Sequence, residues 1–65
     1  MEILMDPLLP RQSDILSLAK SQGRVDVDGL ASHFDVTPQT IRKDLNLLCD
    51  RELLERGHGG AVYPS

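Results

Sequence analysis

The most constraining feature of the sequence is residues 35–45, DVTPQTIRKDL, where a turn leads directly into a helix. Thr37 is a favourable N-cap because its hydroxyl can accept a hydrogen bond from a first-turn amide, and Pro38 suits the first helical position because it has no amide hydrogen. Apolar residues then recur at helical spacing and predict one inward-facing stripe: Ile41, Leu45 and Leu48. The segment therefore predicts a helix with a defined start and one buried face.

Polar residues at the start of this helix fall outside the apolar stripe and are expected to face outward: Gln39, Thr40, Arg42 and Lys43. A helix that enters the DNA major groove carries such residue types. Gln39 and Thr40 are the candidates for base contact, because Gln can pair with adenine and Thr offers a hydroxyl or a methyl. Arg42 can read guanine or hold a phosphate, and Lys43 suits phosphate as a point charge. The plainer alternatives are an ordinary exposed turn and, for Arg42, a salt bridge.

The negative charge of DNA phosphate gives Thr37 and Asp44 different expected roles. Free amides and the helix dipole favour an anion at the helix N-terminus, so Thr37 can donate to a phosphate there, with capping alone as the plainer alternative. Asp44 would repel phosphate if it faced DNA. We therefore expect Asp44 to have a structural role, paired with Arg42, Lys43 or Arg24.

Composition limits the classes of function. A chain of 65 residues forms one domain at most and cannot bury a large active site, so no enzyme activity or cofactor is expected. The scarcity of aromatic residues disfavours a base-stacking platform for single strands. The single cysteine excludes an internal disulfide and fits a reducing compartment, so the expected location is the cytoplasm. No metal site is expected, because the spacing of His33, Cys49 and His58 matches no zinc pattern.

The net charge of −3 argues at first sight against a nucleic-acid partner, because phosphate neutralisation needs Lys and Arg. The distribution of charge weakens this objection. Acidic residues outnumber basic ones in residues 1–35, whereas the two signs balance in residues 36–65, where the basic residues cluster at the predicted helix and just after it. Because the local field steers a polyanion more than the net charge does, double-stranded DNA stays open as a partner.

Helical signals also precede and follow this segment. Apolar spacing with a glycine after it predicts a first helix at residues 11–22. Asp28 is the expected cap of a second helix that ends at Phe34. The turn at residues 35–37 then leads into the third helix, which is expected to end near Arg51.

Strand signals complete the predicted fold. Alternation predicts a brief strand at residues 25–27, and apolar runs at residues 53–56 and 61–63 predict a β-hairpin. The glycine-rich loop between these runs, residues 57–60, is longer than the tightest hairpin turns. The predicted class is small α+β: a winged helix-turn-helix of three helices with a C-terminal β-hairpin wing, the helix-turn-helix at about residues 25–44 and the wing at about residues 53–63.

The wing provides two further candidate contacts. In this fold the third helix enters the major groove and the hairpin touches the adjacent backbone. Arg56 and His58 can therefore meet backbone phosphate or the minor groove, with a solvent-exposed loop as the plainer alternative for His58. Gly59 and Gly60 are expected to provide the positive φ that the turn needs.

Two separated segments, TPQTIRKDL at residues 37–45 and HGGA at residues 58–61, resemble the N-terminal DNA-binding domain of the DeoR family of bacterial repressors. The resemblance covers nearly all of residues 11–65. It departs at Ala19, where the family more often has a larger aliphatic residue, and at Gly57, where a basic residue or His is common. The resemblance implies a double-stranded DNA operator as partner and a transcriptional repressor of sugar or glycerol-phosphate metabolism.

The resemblance also implies a domain organisation. Residues 11–63 would be the DNA-binding domain, residues 1–10 a flexible lead-in, and residues 64–65 the start of a linker to an absent C-terminal domain. That domain would bind a phosphorylated sugar effector and form homo-oligomers. Residues 1–9 contain acidic residues and proline without a basic leader, so neither a signal peptide nor a membrane span is expected. The alternative is a winged-helix protein-interaction module that does not bind DNA.

Overall fold

The computed structural model describes residues 8–64. These residues form three helices and a small antiparallel sheet, which confirms the predicted winged helix-turn-helix of the α+β class. Residues 1–7 of the expected lead-in and Ser65 of the expected linker lie outside the described residues. The elements are α1 (Pro10–Gln22), β1 (Arg24–Asp26), α2 (Val27–Phe34), α3 (Pro38–Asp50), β2 (Glu55–Gly57) and β3 (Gly60–Val62).

Helix α1 begins at a proline and ends before a glycine. The backbone N–H of Leu9, just before the helix, donates to Oε1 of Gln12 at 3.0 Å. At the other end Gly23 adopts a left-handed φ of 89° and donates its N–H to the carbonyl oxygen of Ala19 at 2.7 Å. A glycine reaches this φ without a steric penalty, so the expected stop signal is confirmed.

The cap of helix α2 differs from the sequence expectation. Asp26 caps the helix, because its carboxylate accepts from the backbone N–H of Gly29 at 2.8 Å, whereas Asp28 lies exposed in the first turn. The difference arises because β1 ends at Asp26 and α2 begins immediately at Val27. Both acidic residues are suitable N-caps by residue type. The end of the preceding strand decides which of them caps the helix.

Helix α3 begins as predicted. Thr37 has an extended backbone, and its Oγ1 accepts from the backbone N–H of Thr40 at 3.2 Å. The helix ends at Asp50, one residue before the expected end, and Arg51 follows as the C-cap. The predicted apolar stripe is buried in the core: Ile41, Leu45 and Leu48.

The sheet has the strand order β1-β3-β2, with both pairs antiparallel. β2, β3 and the turn between them form the wing (residues 55–62). Gly57 pairs with Gly60, so the turn contains only His58 and Gly59, which we call the wing tip. The expected loop of residues 57–60 was therefore wrong, because its outer glycines are strand residues. Gly59 has the positive φ that was expected, 73°.

Gly60 serves a different purpose from the one expected. It does not have a positive φ; instead, the backbone of β1 lies directly against its α-carbon. A β-carbon at this position would collide with the carbonyl oxygen of Val25 and would lie 2.7 Å from Cα of Asp26. The residue must be glycine because of this close approach between strands.

One core joins the helices to the sheet. It contains apolar side chains from all three helices, from β1 and β3, and from the segment that precedes β2. Its buried members are Ile15, Ala19, Val25, Leu30, Ala31, Ile41, Leu45, Leu48, Leu54 and Ala61. The core fixes the unburied face of α3 relative to the wing, because both elements contribute side chains to it.

A buried polar network joins α1 to α3 and corrects the partners expected for Asp44. The Asp44 side chain, only 5% exposed, accepts from Nε and Nη2 of Arg11, the latter at 3.3 Å, and from Nε2 of Gln12 at 3.1 Å. The expected partners, all on α3 or β1, were wrong because Asp44 lies three residues after Ile41 and shares its inward face. The hydrogen bond to Asp44 raises the pKa of Arg11.

We predict that Asp44→Ala destabilises the domain. Removing one partner of a fully buried pair costs about 3–5 kcal/mol. Because the Arg11 side chain keeps 29% exposure, we expect the free energy of unfolding to fall by less, about 2 kcal/mol. Urea denaturation followed by circular dichroism measures the loss. Asp50→Ala removes the same charge from an exposed site on α3 and should change stability by less than about 0.5 kcal/mol. Equal losses in both variants would contradict the structural role of Asp44.

We also predict that alanine is tolerated at one of the two strand glycines of the wing and not at the other. Gly60→Ala should destabilise the domain by about 1–3 kcal/mol, because the new methyl group forces β3 away from β1. A β-carbon on Gly57 would meet Cα of Ala61 at 3.7 Å, an ordinary contact, so Gly57→Ala should be tolerated. Thermal denaturation of both variants tests the difference, and a stable Gly60→Ala protein would show that the strands do not approach this closely.

Candidate nucleic-acid interface

The start of α3 presents the hydroxyl groups of Thr37 and Thr40 and the side-chain amide of Gln39. The hydroxyls of Thr37 and Thr40 share a hydrogen bond of 3.0 Å, in addition to the capping bond. Thr40 is half-buried, whereas Gln39 is exposed, and the Gln39 side chain has no hydrogen bond within residues 8–64. Gln39 is therefore the freer of the two candidates for base contact.

Arg42 and Lys43 continue the exposed face of α3. Both side chains are exposed, and neither forms an ion pair in the part of the chain that the structure describes. The salt-bridge alternative for Arg42 therefore has no partner among these residues. The acidic residue next in sequence, Asp44, is buried and hydrogen-bonded to Arg11. Positive charge consequently dominates the exposed N-terminal half of α3.

Arg56 extends from the wing toward α3. Its Nη1 donates to Oδ1 of Asn46 at 2.7 Å, and its Nη2 lies 3.8 Å from a carboxylate oxygen of Asp50. The strand register explains this direction, because Arg56 is paired with the buried Ala61 and paired residues share one face of a sheet. Arg56 thus joins the wing to the exposed face of α3.

A hollow separates the exposed face of α3 from the wing. Its α3 side includes Arg42 and Asn46, and its wing side includes Arg56 and the wing glycines. Sequence reasoning missed Asn46. It is exposed and lies four residues after Arg42, so helical spacing from Arg42 is the signal that could have identified it.

His58 lies apart from this hollow, at the wing tip. Its side chain is exposed, and its backbone carbonyl oxygen accepts from Nη2 of Arg24 at 3.1 Å. The structure therefore separates Arg56 and His58, although only Gly57 lies between them in sequence. Arg24 is a basic residue near the wing tip that sequence reasoning considered only as a partner of Asp44.

The remaining titratable candidates do not form a second site. Cys49 also lines the hollow between α3 and the wing. The pKa of its thiol is raised, mainly by burial, although the nearby charge of Arg56 opposes the shift. His33 is exposed and meets Phe34 edge to face, with ring centroids 4.7 Å apart. Within residues 8–64 there is no group of three or more side chains suited to holding a metal ion. In the same range, every helix is too short or too polar to cross a membrane.

The family comparison covers both α3 and the wing. Residues 11–65 match the model of the DeoR-like helix-turn-helix domain. The chain belongs to the DeoR-like helix-turn-helix family. This confirms the family resemblance carried by residues 37–45 and 58–61. No solved structure matches the chain.

Relatives of this DeoR-type domain are named as transcription regulators. The chain is 51% identical to the glycerol-3-phosphate regulon repressor of Escherichia coli over 55 residues, which are 85% of this chain and 22% of that protein. It is 48% identical to the L-fucose operon activator of Haemophilus influenzae over 52 residues, 80% of this chain and 21% of the relative. It is 42% identical to the HTH-type transcriptional regulator GlpR of Haloferax volcanii, also over 52 residues, 80% of this chain and 20% of the relative. The DeoR-type chain thus spans about a fifth of the length of these relatives.

We predict that the hydroxyl of Thr37 stabilises the start of α3. Thr37→Ala removes the acceptor for the Thr40 amide and should lower the free energy of unfolding by about 1 kcal/mol. Thr37→Ser keeps an acceptor at the same place and should retain most of the stability. Urea denaturation of the two variants makes the comparison, and equal losses would assign the effect to the lost methyl group instead of the cap.

Proposed function

We propose that this chain binds double-stranded DNA sequence-specifically, as the DNA-binding domain of a transcriptional repressor of sugar or glycerol-phosphate metabolism. One observation carries the proposal. The exposed start of α3 presents Gln39, Arg42 and Lys43 without partners among residues 8–64, while Asp44 is withdrawn into the core. The names of the relatives support the transcriptional role and the class of genes.

In the proposed complex α3 enters the major groove with its N-terminal half toward the bases. Gln39 pairs with a base edge, and Thr40 offers its methyl group or its hydroxyl, which also shares a hydrogen bond with Thr37. Arg42 reads guanine or holds a phosphate, and Lys43 holds a phosphate. Thr37 contributes a contact at the helix N-terminus, where free amides favour an anion.

The wing adds contacts on one side of α3. Arg56 is held by Asn46 at the edge of the hollow, so its charge lies beside the groove-facing surface of the helix. His58 lies at the exposed wing tip and can reach the adjacent backbone or minor groove. These contacts position the domain, and α3 carries the sequence information.

The longer regulator would add the control of binding. Because the chain spans about a fifth of its relatives, we propose a further C-terminal domain that binds a phosphorylated sugar effector and forms homo-oligomers. Several copies of the domain on repeated half-sites would raise the affinity above that of a single domain. We propose that this regulator acts in the cytoplasm and has no enzyme activity of its own.

The test begins with selection of duplexes from a random double-stranded library by the wild-type chain. The selected duplex and a scrambled duplex are then titrated over a series of salt concentrations. We expect tighter binding of the selected duplex, with log affinity falling linearly against log salt by about 0.9 per neutralised phosphate.

We predict that Arg42→Ala weakens binding of the selected duplex by about 1–3 kcal/mol if Arg42 reads guanine, or lowers the salt slope by about 0.9 if it holds phosphate. Lys20→Ala is the matched control, because it removes one exposed positive charge from α1, which has no contact in the proposed complex. Loss of affinity in Arg42→Ala alone supports the proposal. Absent or salt-insensitive binding by the wild-type chain would favour a protein-interaction module.

A further inference from the structure

The register of the sheet places basic residues on both faces of the wing. Val25, Ala61 and Arg56 form one row across the three strands, and the first two are buried, so this row faces α3. Successive residues of a strand point to opposite faces. Arg24 belongs to the neighbouring row and therefore points away from α3. Arg56 and Arg24 thus lie on opposite faces of one small sheet.

The wing tip is attached to β1 and α2. Nη2 of Arg24 donates to the carbonyl oxygen of His58 at 3.1 Å, and the backbone N–H of Val27 donates to the carbonyl oxygen of Gly59 at 2.9 Å. The close approach of Gly60 to β1 holds the adjacent strand. The Arg24 guanidinium is therefore kept at the wing tip, although its backbone is at the far end of β1.

Most of the hydrogen-bonding capacity of Arg24 is unused. A guanidinium has five N–H donors, and the bond to His58 uses one of them. Arg24 is exposed, and two acidic residues, Asp26 and Glu55, lie on the same face of the sheet by register. Neither forms an ion pair with Arg24 among the described residues, and Asp26 is engaged with the amide of Gly29.

We propose that Arg24 is a further DNA-contact residue, which bonds the wing tip through His58 and a backbone phosphate through its remaining N–H groups. The inference rests on the proposed DNA binding. The hollow beside Arg42 is bordered by wing glycines, so a duplex lying on α3 passes the wing tip. Arg56 would contact DNA from the face of the sheet toward α3, and Arg24 from the opposite face. The forked guanidinium suits both roles because it can bond a carbonyl and a phosphate oxygen at once.

A purely structural role for Arg24 makes a different prediction. If Arg24 only held the wing tip, removing its charge would leave the dependence of DNA affinity on salt concentration unchanged. Arg24→Gln removes the charge and keeps N–H donors on a side chain two atoms shorter than that of arginine. Arg24→Lys keeps the charge but loses the forked geometry, and Arg24→Ala removes both.

The salt titration distinguishes these roles. For a phosphate contact, Arg24→Ala and Arg24→Gln should each lower the slope of log affinity against log salt by about 0.9, and Arg24→Lys should keep the wild-type slope. The decrease in slope should be similar for the selected and the scrambled duplex, because phosphate contacts carry no sequence information. Lys20→Ala should keep both slope and affinity.

Two outcomes would overturn the assignment. A wild-type slope in Arg24→Gln would show that Arg24 acts only by holding the wing tip, and a wild-type slope in Arg24→Ala would show that it does not meet DNA. Both differ from failure of the proposed function, in which the wild-type chain itself shows no salt-dependent binding. Denaturation midpoints of all variants check folding; if Arg24→Ala is unfolded, Arg24→Gln and Arg24→Lys decide the question.

Discussion

The buried carboxylate of Asp44 is the interaction on which the exposed surface of α3 depends. A carboxylate in the core is costly unless charged or polar donors satisfy it, and Arg11 and Gln12 of α1 supply those donors. The hydrogen bonds work together with the apolar stripe to fix the rotation of α3 about its own axis. They also remove a negative charge from a surface that carries Arg42 and Lys43, so a chain of net charge −3 presents a locally positive helix.

The wing depends on backbone contacts more than on side-chain packing. Its central strand β3 pairs on both sides, and Gly60 permits an approach to β1 that any β-carbon would prevent. The Arg56 side chain then connects the outer strand to α3 through Asn46 and Asp50. Because the wing is held at β1, at α2 and at α3, its backbone has a defined position relative to the exposed face of the helix.

Local signals in the sequence predicted the elements, and contacts distant in sequence decided the exceptions. The cap at Thr37 and the apolar stripe of α3 were predictable because the relevant atoms lie within one or two turns. The partners of Asp44 were not, since Arg11 lies 33 residues away and no local pattern encodes that distance. The role of Gly60 was also missed for this reason. Glycine is required there because β1 lies against it, and β1 is distant from Gly60 in sequence.

In the candidate site, too, local sequence signals identified some residues, and contacts between distant residues were needed for others. Residue type and helical spacing were enough to propose Gln39, Arg42 and Lys43 as DNA-contact residues, because all three lie on one helix. Asn46 lies one turn after Arg42 on the same helix, so helical spacing could have identified it as well. The bonds from Arg56 to Asn46 and from Arg24 to His58 join residues distant in sequence, and only the strand register brings them together. A domain with few basic residues cannot rely on total charge to hold a polyanion, so the placement of each arginine matters more. Strand register, which sequence alone left open, therefore decides where two of these arginines can act.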